Sequence, residues 1–435
     1  MTDAIFISVP DPLSKMDPLS DWEELKVMKD KLFKTVEKLE PQMVSLLSDL
    51  VAIPAISPLG GGRGEFRKAK FLSERLKEMG FGEPEIYNSV DPDAEEGVRP
   101  NIVVRIKGKS ARRLWIVSHI DVVPEGERSL WETDPFKAFI KDRRVYGRGA
   151  NDNCQELVSS LYAAVALNEL SLLPEYEVCL CFVADEEVGS VHGIQYLIGK
   201  GLFSNDDLVI VPDGGNQKGD FIEIAEKSIC WIEFAVEGKQ VHASTPDLGI
   251  NACRAANEFS CSLDEALHRA FPDEDSIFDP ASSTFEPTRR NSNVPNVNTV
   301  PGREVFCFDC RVLPHIPLTE LIKVVDSEIK KISDKRKVNI TYKFLQKEQA
   351  PAPTPEGSPV VGLLRRSLKE VYGFDPYVGG VGGGTCAKYF RDEGIPAVVW
   401  CQEADVAHMP NEYAEIDHML NEAKVFALMM LNKAE

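Results

Sequence analysis

Short apolar runs punctuate the chain: NIVVRIKG from Asn101, LWIVSH from Leu114, VCLCFVAD from Val178, LVIVPDGG from Leu208 and, far downstream, PAVVWC from Pro396. Apolar at successive positions, they are predicted strands of a sheet covered on both faces. Between them apolar residues recur at helical spacing. Leu157, Leu161, Ala164 and Val165 share one face of a helix expected from Glu156 to Leu170. Leu25, Met28, Leu32, Val36 and Leu39 predict an amphipathic helix pair broken around Pro41, and a further helix is expected from Arg67 to Met79. Strand, helix, strand alternation of this kind predicts an α/β domain with a mainly parallel central sheet flanked by helices.

From about Ser228 the period changes. Cys230, Ile232, Phe234 and Val236 alternate as in a half-buried strand, and a helix follows from Asn251. A strand near Ser283 and another from Glu304 to Val312 come next. Leu318, Leu321, Ile322, Val325, Ile329 and Ile332 then mark a helix, and Val338, Ile340, Tyr342 and Phe344 a last strand. The order β-α-β-β-α-β predicts an inserted, ferredoxin-like α+β domain. The expected organisation is an N-terminal arm over 1–21, marked by Pro10, Pro12 and Pro18, and a catalytic domain in two pieces, 22–225 and 351–435. The inserted lid or dimerisation domain is expected over 226–350, with the proline-rich stretch from Pro351 as the return hinge.

Composition narrows the function. The 49 basic and 69 acidic residues of the 435 leave a formal net charge of -20, which argues against nucleic acid and anionic membranes as partners. No apolar run reaches the roughly 20 residues of a membrane span, and the start lacks the pattern of a secretory signal. The 10 cysteines are scattered rather than densely paired in sequence, so a cytoplasmic location with reduced thiols is expected. Cys307 and Cys310 form a C-x-x-C within an alternating strand, where a separation of three sends the side chains to opposite faces.

The candidate chemistry lies where predicted strands end. LWIVSH-I-D delivers His119 and Asp121, VCLCFVADEE delivers Glu186 and Glu187, and LVIVPDGG delivers Asp213. Asp152 lies in the turn GRGANDN, and the last strand runs out towards His408. In open α/β sheets the carboxyl ends of strands share one crevice, so these residues are expected to converge. Each piece alone has an ordinary explanation, such as a turn or a solvated helix start. Together, buried histidines and carboxylates cost several kcal/mol each unless paired or metal-bound. Two divalent cations roughly 3.5 to 4 Å apart would offset that cost; imidazole with carboxylate suits Zn²⁺, with Co²⁺ or Mn²⁺ as alternatives. One carboxylate must then bridge and another stay free as a base.

The ordered set SHIDVVPEG, GRGANDN, ADEEVGS, VPDGG and AHMPNEY resembles the M20 family of di-metal peptidases and amidohydrolases, over roughly Leu46 to Asn432. The resemblance implies that His119 and Asp213 bind one metal, that Glu187 and His408 bind the other, and that Asp152 bridges them. It implies further that Asp121 orients His119 and that Glu186 is the general base. GKQVHASTPDLGINA resembles the family segment that supplies a histidine, here His242, to a partner protomer's active site for oxyanion stabilisation, which implies a homodimer through the inserted domain. Asn298 and Arg311 match substrate-binding positions, Arg311 as a bidentate carboxylate ligand. Gly383 and Thr385 belong to the glycine run VGGVGGGTCAKYF, whose amides are expected near substrate.

Two departures bear on substrate. Many members read Asp-X-Lys-Gly after the bridging aspartate, whereas Asn153, Cys154 and Gln155 follow Asp152; others carry Asp after Gly-Thr, whereas Cys386 follows Thr385. The activity implied is hydrolysis of an amide bond in an N-acyl amino acid or short peptide, with a desuccinylase-like enzyme first and a dipeptidase or carboxypeptidase as the alternative. A binding protein without turnover is disfavoured, because every implied ligand and the base are present.

Overall fold

The computed structural model describes residues 18–434, with side chains from residue 26. Most of the expected arm, residues 1–17, lies outside the described residues. Regular structure starts earlier than expected, with a helix over Pro18–Lys38. Proline is tolerated in a first helical turn because its missing N–H would have no intrahelical partner there. A second helix follows over Glu40–Val51, with Pro41 in its first turn, so the break falls where the pattern placed it.

The chain divides into two compact units. The first runs to Glu223 and resumes over Thr354–Val378 and from Thr385. An eight-stranded sheet has the order Glu85–Val90, Val98–Ile106, Glu177–Val183, Arg113–His119, Leu208–Gly215, Ala397–Cys401, Phe221–Glu226, Tyr377–Val381, the first six strands lying wholly in this unit. The four central strands, from Glu177–Val183 to Ala397–Cys401, are mutually parallel, and antiparallel neighbours flank them. Along Arg113–His119, Trp115 and Val117 join one apolar cluster with Val209, Val211, Phe390 and Ile395. Leu114 and Ile116, of opposite parity, are buried as well. Burying both parities explains the unbroken apolar runs; each large side chain so buried contributes roughly 1.5–3 kcal/mol. The helix Gln155–Glu169 packs between the sheet and the helices Pro18–Lys38, Glu40–Val51 and Ile416–Leu431, and is buried nearly all round.

The second unit is Ile224–Pro353 with Gly379–Gly384. Its antiparallel sheet runs Thr284–Arg290, Arg303–Val312, Ser228–Glu237, Asn339–Glu348. The helices Ala252–Ala270 and Leu318–Arg336 pack against it, above the buried Cys230, Ile232, Phe234 and Val236. This is the split βαβ order read from the sequence. Cys310 sits opposite Cys230 and Cys307 opposite Glu233, so the C-x-x-C does splay, and every cysteine among the described residues is a free thiol. One segment differs from the expected division: Gly379–Gly384 groups with this unit rather than with the flanking chain. Arg311 donates to the Gly382 carbonyl at 2.7 Å and Lys227 N–H to the Val381 carbonyl at 3.0 Å. The Phe278 ring lies so close to Gly380 that a Cβ there would meet it at 2.3 Å.

No helix among the described residues is long and apolar enough to cross a membrane.

Candidate metal centre

Within the first unit the strand ends do converge. His119 closes the strand Arg113–His119, Glu186 and Glu187 open the turn after Glu177–Val183, and Asp213 lies near the end of Leu208–Gly215. His119 Nε2 lies 2.7 Å from Asp152 Oδ1 and 3.5 Å from Asp213 Oδ1. On the other side His408 Nε2 lies 3.2 Å from Asp152 Oδ2 and 3.0 Å from Glu187 Oε2. Two groups result, His119/Asp152/Asp213 and Asp152/Glu187/His408, each with its ligand atoms within 4.8 Å of one another. Asp152 belongs to both and turns one oxygen to each.

The donor set suits two cations. Glu187 Oε1 is buried without a partner, a lone pair that a cation would satisfy. Without a cation, protons do this work. Burial alone would lower His119 and raise Asp152, but their mutual contact, with Asp213 and His408 alongside, reverses both: the ring is pushed well up and the Asp152 carboxyl down. Hydrogen bonds to Asp152 and Glu187 raise His408 to about 10. Burial and the charge of Asp152 raise Glu187 to about 7. The Glu186 carboxyl is pushed well up by burial and by Asp213, and no hydrogen bond reaches its side chain among the described residues.

Two other acids serve the backbone. Asp121 Oδ1 and Oδ2 accept the N–H groups of Glu186 and Glu187, each at 3.1 Å. Its carboxylate stands 3.5 Å from His119 Nδ1, while its main-chain carbonyl is nearer at 3.0 Å. At Nδ1 the nearer contact is thus a peptide oxygen, and the Asp121 carboxylate is spent largely on the turn of Glu186 and Glu187. Glu412 Oε1 accepts the N–H groups of Asn151 and Asp152 at 3.0 and 3.1 Å, and Oε2 pairs with the buried Arg148. Asn153 joins three segments: its Oδ1 accepts His119 N–H at 3.1 Å, and its Nδ2 donates to the Pro212 carbonyl at 2.6 Å. Glu403, which accepts from Asn151 Nδ2 at 3.4 Å, is raised to about 8 by burial and by Asp152 and Asp213. Sequence reasoning assigned no role to Glu412, Asn153 or Glu403. Glu412 was within reach, since it sits in the same AHMPNEY run as His408.

A third buried group, Glu156/Cys401/Glu422, differs in kind. All four of its carboxylate oxygens accept hydrogen bonds, from Gln155, Asn153, Ser159 and the Gln402 N–H. Each carboxylate oxygen of this group thus already has a donor, unlike Oε1 of Glu187.

The remaining candidates lie mainly in the second unit. His242 is exposed, with Nδ1 accepting from the Ser244 N–H at 3.2 Å, and the Asn298 carbonyl accepts the N–H of the next residue, Ala243, at 2.8 Å. Arg311 is already occupied: Nε and Nη2 bind Asp309 at 2.7 and 3.1 Å, and Nη1 binds Gly382. Its Nε–Nη2 edge, one that a substrate carboxylate would take bidentately, is therefore held by Asp309, two residues away on the same strand face. Gly383 is exposed in this unit. Thr385 belongs to the first unit, where its Oγ1 accepts the Ala387 N–H at 3.1 Å.

Comparison with known proteins adds identity to this geometry. Residues 115–432 match the description "Peptidase family M20/M25/M40". An uncharacterized metallohydrolase of Methanococcus maripaludis is 40% identical, covering 88% of this chain and 97% of that protein. A succinyl-diaminopimelate desuccinylase of Nautilia profundicola is 26% identical over 88% of this chain and 97% of its own length. Among solved structures, human carnosine dipeptidase 1 is similar with a TM-score of 0.70 at 18% identity, over 93% of this chain and 98% of that one; at that identity the likeness speaks for the fold.

Proposed function

Because the chain belongs to peptidase family M20/M25/M40 and is a metallohydrolase of that family, we propose that it cleaves an amide bond in an N-acyl amino acid or short peptide at the centre built around Asp152. The observation that carries this reading is the shared carboxylate: Asp152 offers Oδ1 to the His119 group and Oδ2 to the His408 group, while Glu186 beside them stays unpartnered. His119, Asp213 and Asp152 would hold one divalent cation, and Glu187, His408 and Asp152 the other. Zinc is the first choice, with cobalt or manganese as alternatives; bound there, such cations polarise a carbonyl and acidify water.

The chain's own residues supply the rest. Glu186, whose carboxyl burial and Asp213 push well up, takes a proton from water and returns it to the leaving nitrogen. His242, whose Nδ1 accepts from Ser244, carries its proton on Nε2 when neutral and so presents a donor to a developing oxyanion. Its exposure supports delivery from a second copy, hence a homodimer through the second unit. The free cysteines support a cytoplasmic location.

A desuccinylase-like substrate is the first reading, supported by the relative of that name. A dipeptidase is the second, supported by the fold shared with human carnosine dipeptidase 1. The test is a Zn²⁺ or Co²⁺ titration of metal-free protein, followed by assay of N-succinyl-diaminopimelate, N-acetyl amino acids and dipeptides with a chelator control. Two bound equivalents and chelator-sensitive cleavage are expected, and the cleaved substrate selects the reading. Absence of both binding and cleavage refutes it.

A further inference from the structure

We propose that Arg99, acting with Glu65 and Asp185, is a positioning residue that fixes the turn bearing Glu186 and Glu187 and thereby sets the affinity of the cation site built on Glu187 and His408. The inference rests on the function proposed above. Its starting point is Asp185, the residue just before the two glutamates, whose φ of +66° lies in the left-handed region that L-residues with a Cβ avoid. Such a conformation persists only where surrounding contacts over-determine it.

They do so here from every side. Asp185 Oδ1 lies 3.1 Å from Arg99 Nη1, and Oδ2 accepts the His192 N–H at 3.0 Å. Its own N–H donates to Glu65 Oε1 at 3.3 Å, and its carbonyl accepts the Ser190 N–H at 2.6 Å. One residue earlier, Ala184 N–H donates to Asn101 Oδ1 at 3.0 Å. Arg99 uses Nε and Nη2 on Glu65, so one guanidinium grips both the side chain of Asp185 and the acid that holds its backbone. Arg99 is 1% exposed and Glu65 is wholly buried. Apolar side chains can often replace a buried ion pair without loss of stability, so stability alone does not account for this one. Its geometric consequence is larger. A rotation of about 10° at Asp185 moves a carboxylate about 6 Å away by about 1 Å, and a misplacement of that size can cost about a hundredfold in rate.

The effect should be lopsided. Of the cation ligands only Glu187 sits on this turn; His119, Asp152 and Asp213 hang on other segments. The experiment compares the full-length wild type with Arg99→Met, Arg99→Lys and Asp185→Asn, by Co²⁺ titration of metal-free protein and by steady-state kinetics. In Arg99→Met the first Co²⁺ should bind as in the wild type and the second about 10–100-fold more weakly. kcat should fall on a similar scale with KM within about threefold, since the base is displaced while substrate contacts remain. Arg99→Lys should recover part of both losses. If Arg99→Met does not fold, Asp185→Asn carries the test with the same split, because Asn tolerates the left-handed backbone. Wild-type affinity for both ions with unchanged kcat overturns the inference and leaves the proposed function intact, as does equal loss of both ions. A wild type that binds no pair of cations overturns both.

Discussion

Filling the centre with metal should expel protons in a number that the geometry sets. In the metal-free protein His408 titrates at about 10 and His119 well above its ordinary value, because each ring lies against carboxylates. A raised imidazole keeps its proton at every pH below the raised value, yet a cation needs the bare nitrogen. Between about pH 7.5 and 9 the cation at His408 should therefore displace about one proton, its apparent affinity rising about tenfold per pH unit, and the raised His119 ring should add to the release on filling the other site. Glu187, at about 7, keeps its own proton below that pH, so the release should grow by about one more proton at pH 6. Above about pH 10 the His408 contribution ends and the curve flattens. Calorimetric titration of metal-free protein with Co²⁺, repeated in buffers of differing ionisation heat, counts these protons directly. His408→Gln should lower the count at pH 8 by about one. Release of less than about one proton for the pair at pH 8 would refute the picture of protons standing in for cations among these acids.

Further tests address single side chains. Glu186→Gln should keep both cations while activity falls by at least about a hundredfold, measured as kcat against metal content; unchanged turnover removes Glu186 as the base. Asn153→Ala strands the buried His119 N–H and Pro212 carbonyl, at about 1–3 kcal/mol each, and chemical denaturation of the metal-free protein should show the sum, about 2–6 kcal/mol. A loss below about 1 kcal/mol would mean that water takes over both bonds. Thiol titration should find Cys261 reactive in the native protein and the buried cysteines reactive only after denaturation, since burial shields them.

What the sequence made legible follows from what burial imprints on it. Strands covered on both faces had to be apolar at every position, so Arg113–His119, Glu177–Val183 and Leu208–Gly215 stood out, and the acids just beyond them with them. The helix Gln155–Glu169 was found from a one-face pattern although nearly its whole circumference is buried. The small sheet of Phe139–Lys141, Arg144–Tyr146 and Tyr413–Glu415 was not found, because three-residue strands carry no measurable period. Gly379–Gly384 was assigned to the wrong unit for a related reason: its allegiance is decided by Arg311, Lys227 and Phe278, all remote in sequence. The ligand set was readable because its residue types are chemically distinctive. Asn153, Arg99 and Glu65 were not, since an amide or an ion pair in a sequence carries no sign of which backbone groups it will hold.

Hydrogen-bond accounting separates the acids of the centre into two kinds, which their spacing in the chain does not. Asp121 and Glu412 each accept two main-chain N–H groups, on the 186–187 turn and the 151–152 turn respectively. Bonds of this type fix the direction of a carboxylate, so these two are committed to the scaffold. Glu186 and the Oε1 atom of Glu187 have no such donors. A buried acid oxygen left without a donor beside other acids, as Oε1 of Glu187 is, favours taking up a proton or a cation. The scaffold acids thus aim the working ones: Asp121 directs the turn of Glu186 and Glu187, and Glu412 directs Asp152. Removing an aiming acid should therefore resemble removing a ligand in its effect on metal affinity, although neither Asp121 nor Glu412 need touch a cation.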